Sequence, residues 1–293
     1  MRDETTPTPG STPEASSADF TLSRRGFAAL SAASMASAAG SALAADVVES
    51  DVMVTTPDGQ CDAALFHPAG KGSWPAVILF ADAGGLRPVK RDMGRRLAAD
   101  GYVVIVPNPY YRSRKAPVRA TPFDFGKPED RAELAALRAP MTAEAVSRDS
   151  LAYLKFLDAL PQVNAKAKAG AVGYCMGGAM TMRAAAAAPD RVGAICSFHG
   201  GALVTDAPDS PHLLATKIKA ASYFGVAAND DEKEPETKVT LKAALDAAKL
   251  PTKIEVYEGA MHGWCVKGSA VYNEPQAERA WSEMTKLYKS RLT

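Results

Sequence analysis

Ala171-Val172-Gly173-Tyr174-Cys175-Met176-Gly177-Gly178 sets one cysteine among glycines, where a short apolar run gives way to an alanine-rich one. Lys168 to Tyr174 reads as a buried strand, and Ala179 to Ala188, closed by Pro189, reads as a helix. Strand, tight turn and helix in that order make a nucleophile elbow, in which small neighbours permit a sharp turn that exposes the reactive atom above a helix N-terminus. The helix dipole and nearby backbone N–H groups favour negative charge there. A thiolate forms more readily at such a spot, and an oxyanion is more easily held. The stretch therefore predicts an acyl-transfer hydrolase with Cys175 as its nucleophile.

A cysteine nucleophile needs a base and a group to orient that base, and elbow enzymes supply them in the chain order nucleophile, acid, histidine. The acid belongs after the strand Ala221 to Val226, where the chain reads Ala227-Ala228-Asn229-Asp230-Asp231-Glu232-Lys233-Glu234-Pro235. Asp230, nearest the strand end, is the expected acid, and Asp231 competes with it. Glu232 and Glu234 are explained by the acidic loop that leads into the helix Pro235 to Ala248, whose first turn favours negative charge. The histidine belongs after the strand Lys253 to Tyr257, and His262 lies there in Gly259-Ala260-Met261-His262-Gly263-Trp264, a glycine-flanked loop able to turn back toward the elbow. His199 also ends a strand, but it precedes any acid and is read as a pocket-wall residue.

Strands are expected at Val47 to Thr55, Cys61 to Phe66, Ala76 to Ala81 and Tyr102 to Val106, after which helices alternate with strands to Leu292. Such alternation predicts an α/β fold: a mainly parallel sheet covered by helices on both faces, with the reactive residues on loops at the carboxyl ends of the strands. No internal repeat or linker interrupts residues 46–293, which are expected to form a single domain.

With Cys175, an aspartate and His262 in place, the chain resembles the dienelactone hydrolase family of α/β-hydrolases, whose elbow commonly reads Gly-Tyr-Cys-x-Gly-Gly. The resemblance runs from about Val47 to the C-terminus. It includes Ala76-Val77-Ile78-Leu79-Phe80-Ala81-Asp82-Ala83-Gly84-Gly85-Leu86, then Asp92 to Gly101, then Tyr102-Val103-Val104-Ile105-Val106-Pro107-Asn108-Pro109-Tyr110-Tyr111-Arg112. It implies an ester or lactone hydrolase (carboxymethylenebutenolidase type) working through a Cys-His-Asp triad and a thioester acyl-enzyme. It implies an oxyanion hole from the backbone N–H groups of Met176 and Ala83. It also implies a carboxylate that pairs with the resting cysteine, usually glutamate and here Asp82, one methylene shorter. Arg112 matches one of the two arginines with which the family binds a substrate carboxylate. Val266 stands where the second would be, with Lys267 or Arg114 as its substitute, a departure that points away from dienelactone itself as substrate.

Ser23-Arg24-Arg25-Gly26-Phe27 precedes an Ala/Ser-rich run ending in Ala42-Leu43-Ala44-Ala45-Asp46, which reads as a twin-arginine export signal with a small-residue cleavage site. Residues 1–45 are thus expected to be a disordered lead-in and signal, and the mature protein to be periplasmic or secreted. The run is too rich in Ala, Ser and Gly for a membrane span, so no stable membrane association is expected after cleavage. Arg2, Arg24 and Arg25 against Asp3, Glu4, Glu14 and Asp19 leave the first 44 residues at −1, so the remainder of this +1 chain is +2. That balance gives no reason to expect a nucleic-acid partner. A monomer acting on a small molecule, without cofactor, is expected. The histidines are scattered and no Cys-x-x-Cys accompanies them, so no metal set is expected. Cys61, Cys196 and Cys265 are expected as buried free thiols, with a disulfide between two of them as the alternative. Two other functions fit the same residues: a non-catalytic binder of a carboxylated small molecule, and a hydrolase of thioesters or amides.

Overall fold

The computed structural model describes residues 46–292; the twin-arginine signal read at Arg24-Arg25 lies outside them. Eight strands form one sheet: β1 (Val47–Thr56), β2 (Gly59–Pro68), β3 (Ala76–Phe80), β4 (Val103–Pro107), β5 (Ala169–Tyr174), β6 (Val192–Phe198), β7 (Ala221–Ala227) and β8 (Thr252–Tyr257). Their order across the sheet is β1-β2-β4-β3-β5-β6-β7-β8. β1 and β2 form an antiparallel hairpin, β2 lies antiparallel to β4, and the pairs from β4 to β8 are parallel.

The central strands are buried on both faces, and this is why they read as unbroken apolar runs rather than as an alternation. Successive side chains still divide between two cores. Ile78, Phe80, Ala171, Ile195 and Phe224 point to one face. There they meet α2 (Pro128–Arg138), α3 (Ala143–Asp158), α4 (Met176–Ala187) and α6 (Pro235–Ala247). Val77, Leu79, Val172, Cys196 and Tyr223 point to the other, against α1 (Pro88–Ala99) and α7 (Glu274–Arg291). Each large apolar side chain so buried contributes roughly 1.5–3 kcal/mol. Together these elements are the α/β-hydrolase architecture, as expected.

β3 continues through α1 to β4 on one side of itself, whereas β5 lies on its other side. The chain therefore leaves the carboxyl ends of β3 and β5 in diverging directions. Ligands of open α/β sheets bind at such switch points, and the elbow and the Asp82–Gly85 loop follow the two strands that flank this one.

Two local readings change. The helix after the elbow starts at Met176 rather than Ala179, so Gly177 and Gly178 lie inside its first turn. Glycine disfavours helix interiors, which hid that start, but a Cβ on Gly177 would come within 2.5 Å of the Phe80 carbonyl oxygen. The acidic segment expected as a loop is a short helix, α5 (Ala228–Lys233).

Candidate active site

β5 ends at Tyr174 and the chain reverses at Cys175, whose φ of 55° and ψ of −119° lie where side-chain-bearing residues rarely go. The turn closes so tightly that a Cβ on Gly173 would lie 2.0 Å from the Gly177 carbonyl oxygen. The strain is held by hydrogen bonds to both backbone polar groups of Cys175. Its N–H donates to the Phe198 carbonyl at 3.2 Å and to His199 Nδ1 at 3.1 Å, and its carbonyl accepts from the N–H groups of Gly178 (3.0 Å) and Gly201 (3.1 Å). The thiol is left partly exposed at the N-terminus of α4.

His262 is delivered by the loop after β8. Gly259 and Gly263, with φ of 69° and 102°, shape that loop. The Ala228 N–H donates to the Ala260 carbonyl at 2.9 Å, and the His262 N–H donates to Asn229 Oδ1 at 2.8 Å, so α5 and the histidine loop are fastened together. In that position His262 Nδ1 lies 2.6 Å from Asp230 Oδ2. Asp231 turns away and accepts from Lys238 Nζ at 2.5 Å. Successive helical residues point about 100° apart, so α5 presents one aspartate to His262 and the other to α6. Burial works against a charged imidazole at His262, but hydrogen bonds to Asp230 and to Cys175, with their charges, push its pKa up to about 10. The structure thus brings Cys175, His262 and Asp230 together from the turn after β5, the loop after β8 and the helix α5 after β7.

Asp82 has other partners than the cysteine that the family resemblance gave it. Arg87 grips it at 2.5 and 3.0 Å, Lys90 Nζ lies 2.9 Å from Oδ2, and the Gly84 N–H donates to Oδ1 at 2.9 Å. Lys90 is fully buried, and its ammonium also lies 4.3 Å from the centroid of the Tyr174 ring, next to the nucleophile. Burial alone would raise the Asp82 pKa, but the charge of Lys90 and the hydrogen bond and charge of Arg87 hold this carboxyl well below the usual carboxylate range.

Arg112 is likewise engaged within the protein rather than free for a ligand. It makes two 2.8 Å bonds to Asp149 and reaches Asp58 at 2.7 and 3.1 Å, with only 11% of its side chain exposed. Neutralising it leaves buried Asp149 with the Tyr111 hydroxyl at 2.8 Å. Arg112→Ala is therefore expected to destabilise the fold by about 3 kcal/mol, read by chemical denaturation. The ratio of KM values for carboxylated and neutral esters should stay unchanged. A selective rise in KM for the carboxylated ester would restore a substrate role.

Of the other expected site residues, Ala83 and Met176 are both buried where the β3 loop faces the start of α4. The Tyr110 hydroxyl donates to the Ala83 carbonyl at 2.8 Å and lies 3.4 Å from Met176 Sδ, linking the two. Val266 is buried and packs no charge into the site. His199 does line a cavity of about 240 Å³ beside His262 and Asp230, with Leu203, Val204 and Phe224 among its walls. All four cysteines are free thiols, Cys61 and Cys196 buried. Among the described residues no group of His, Cys, Asp and Glu is arranged to hold a metal, and no helix is long and apolar enough to cross a membrane. Asn229 and Lys90, which support the site from behind, had no motif to mark them, and Tyr110 lies in the stretch ending at Arg112 with no role assigned to it by the resemblance.

Comparison with known proteins agrees with this architecture. The model of the dienelactone hydrolase family matches residues 61–292. A Rhodococcus opacus carboxymethylenebutenolidase is 26% identical over 233 residues, covering 78% of this chain and 86% of its own. A Synechocystis protein provisionally named carboxymethylenebutenolidase is 28% identical over 246 residues, covering 82% and 96%. Among solved structures, a dienelactone hydrolase-like promiscuous phosphotriesterase from metagenomic libraries superposes with a TM-score of 0.68 at 23% identity, covering 84% of this chain and 99% of that one. Since the family match runs from within β2 to the end of α7 and takes in the cysteine elbow and the His262 loop, this chain belongs to the dienelactone hydrolase family.

Proposed function

We propose that the protein hydrolyses a small-molecule ester or lactone through Cys175, His262 and Asp230. The observation that carries the reading is the 2.6 Å contact between Asp230 and His262, beside a cysteine held at the tip of a strained elbow. The names of the relatives support the substrate class.

At the moment of attack the reacting pair is the His262 imidazolium and the Cys175 thiolate. The sulfur attacks the substrate carbonyl carbon, a C–S bond forms, and the carbonyl π pair moves to oxygen. The backbone N–H groups of Met176 and Ala83 hold that oxyanion. As the tetrahedral intermediate collapses, the C–O bond to the alcohol breaks and the departing oxygen takes the proton from His262. The neutral imidazole then removes a proton from water as it attacks the thioester, and expulsion of the thiolate restores the ion pair. Asp230 keeps the Nδ1 proton of His262 in place throughout and stabilises the imidazolium. With a lactone, the leaving hydroxyl stays attached to the acyl group.

The site distinguishes its two neighbouring aspartates. Asp230→Asn should lower kcat for a small activated ester by ~10²–10⁴-fold, through loss of the oriented imidazole. Asp231→Asn, which loosens only the bond to Lys238, should change kcat by less than about threefold, as expected for a partly exposed ion pair. Steady-state kinetics on a panel of lactones, aryl esters and thioesters checks both and gives the bond preference. Equal, small losses from the two variants would remove Asp230 from the mechanism.

A further inference from the structure

The segment that follows β6 holds the nucleophile more closely than a cavity wall needs to. The Phe198 carbonyl and His199 Nδ1 both accept the Cys175 N–H, and the Gly201 N–H donates to the Cys175 carbonyl. Residues 198–201 thus bind both backbone polar groups of the one residue at the tip of the elbow. Only one of those bonds uses a side chain, that of His199.

His199 is itself at positive φ, 42°, and is 1% exposed. Its own backbone N–H donates to the Gly225 carbonyl of β7 at 2.8 Å, which ties the residue to a third strand. The ring lies edge-on to His262, with centroids 4.9 Å apart and planes at 63°, and edge-on to Trp264 at 5.1 Å. Because Nδ1 accepts the Cys175 N–H, the single ring proton of the neutral imidazole must sit on Nε2, a buried atom with no hydrogen-bond partner among the described residues. Burial first, then the neighbouring charges of His262 and Lys90, keep His199 uncharged, with Asp82 opposing them. A protonated ring would turn a donor toward the Cys175 N–H and break the contact.

We propose that His199 is a positioning residue for the nucleophile, its Nδ1 fixing the Cys175 backbone at the elbow tip. The proposal rests on the reading of Cys175 as nucleophile. A displacement of about 1 Å at a reacting atom can cost ~10²-fold in rate, so a lost backbone anchor should appear in kcat rather than in substrate affinity.

The test uses a pair of variants of similar polarity. In His199→Asn the side-chain oxygen takes the place of Nδ1, whereas in His199→Gln the amide reaches the place of Nε2. A third variant, His199→Phe, keeps the ring edge and removes the acceptor. Each is assayed for ester hydrolysis and for the rate of Cys175 alkylation by iodoacetamide across pH, with thermal unfolding measured alongside. The expected result is a kcat for His199→Phe and His199→Gln about 10–100-fold below wild type, with KM within about twofold. His199→Asn should recover most of that loss at equal thermal stability, and its alkylation profile should lie with wild type. A site that serves only to fill space would not separate Asn from Gln. Equal kcat and equal alkylation profiles for His199→Asn and His199→Gln would overturn the proposal. Full activity in Cys175→Ala would instead overturn the reading beneath it.

Discussion

Cys175→Ala should lower ester hydrolysis by ~10³-fold or more, while leaving the thermal unfolding temperature close to that of the wild type. The size follows from the proposed mechanism: among the described residues no other side chain is assigned to form the acyl intermediate, so the residual rate is that of water attacking a bound ester. The fold should survive because the contacts that hold the elbow use the backbone of residue 175 and not its sulfur. Alanine at φ 55° is no more strained than cysteine. In the wild type, the alkaline fall of kcat/KM should lie near pH 10, where His262 loses the proton it gives to the leaving group. A pH–rate profile on an uncharged aryl ester reads this limb directly.

Asp82→Ala should have the largest effect on stability. It leaves Lys90, which is fully buried, facing Arg87 and the Tyr174 ring with no counter-charge. Removing one partner of a buried ion pair typically costs about 3–5 kcal/mol, which for a domain of this size lowers Tm by on the order of 10 °C. The pH dependence has a definite sign. The Asp82 carboxyl is held well below its ordinary pKa, so its contribution is complete above the unfolded-state value, about 4, and is lost as pH falls from there through the folded-state value. Asp82→Asn, which keeps the shape without the charge, should therefore flatten the acid limb of the stability curve while lowering it at pH 7. Urea denaturation between pH 2 and 7 measures both. Unchanged stability at pH 7 would show that Asp82 is not the counter-ion of Lys90. Activity should fall with stability here, since the same carboxylate braces the Gly84 N–H next to Ala83.

The elbow was legible in the sequence because its constraint is local. A cysteine that must sit at positive φ, with a carbonyl 2.0 Å from where a side chain at residue 173 would begin, leaves only glycine at the crowded positions. The strand end that carries Asp230 was legible because buried β7 reads as a short apolar run, whereas β8, at the sheet edge, alternates Ile254 and Val256 with the charged Lys253 and Glu255. The choice between Asp230 and Asp231 was not legible. It depends on α5 being helical, and a six-residue turn between a strand and a proline gives no periodicity to read. The partners of Asp82 and Arg112 were not legible because they are fixed by tertiary packing. Arg87 and Lys90 come from the start of α1, and Asp149 from the middle of α3. A lysine in a short surface-type helix ordinarily points to solvent, so nothing in the sequence marked Lys90 as buried. His199 stood out as a histidine at a strand end, but its contact with the Cys175 N–H exists only once β5 and β6 lie side by side.

Trapping the acyl-enzyme tests the account most directly. The protein mixed with a small activated ester and quenched in acid within milliseconds should show, by intact mass, one added acyl group, mapped to Cys175 by peptide sequencing and absent in Cys175→Ala. An acyl group on another residue, or full turnover by Cys175→Ala, would contradict it.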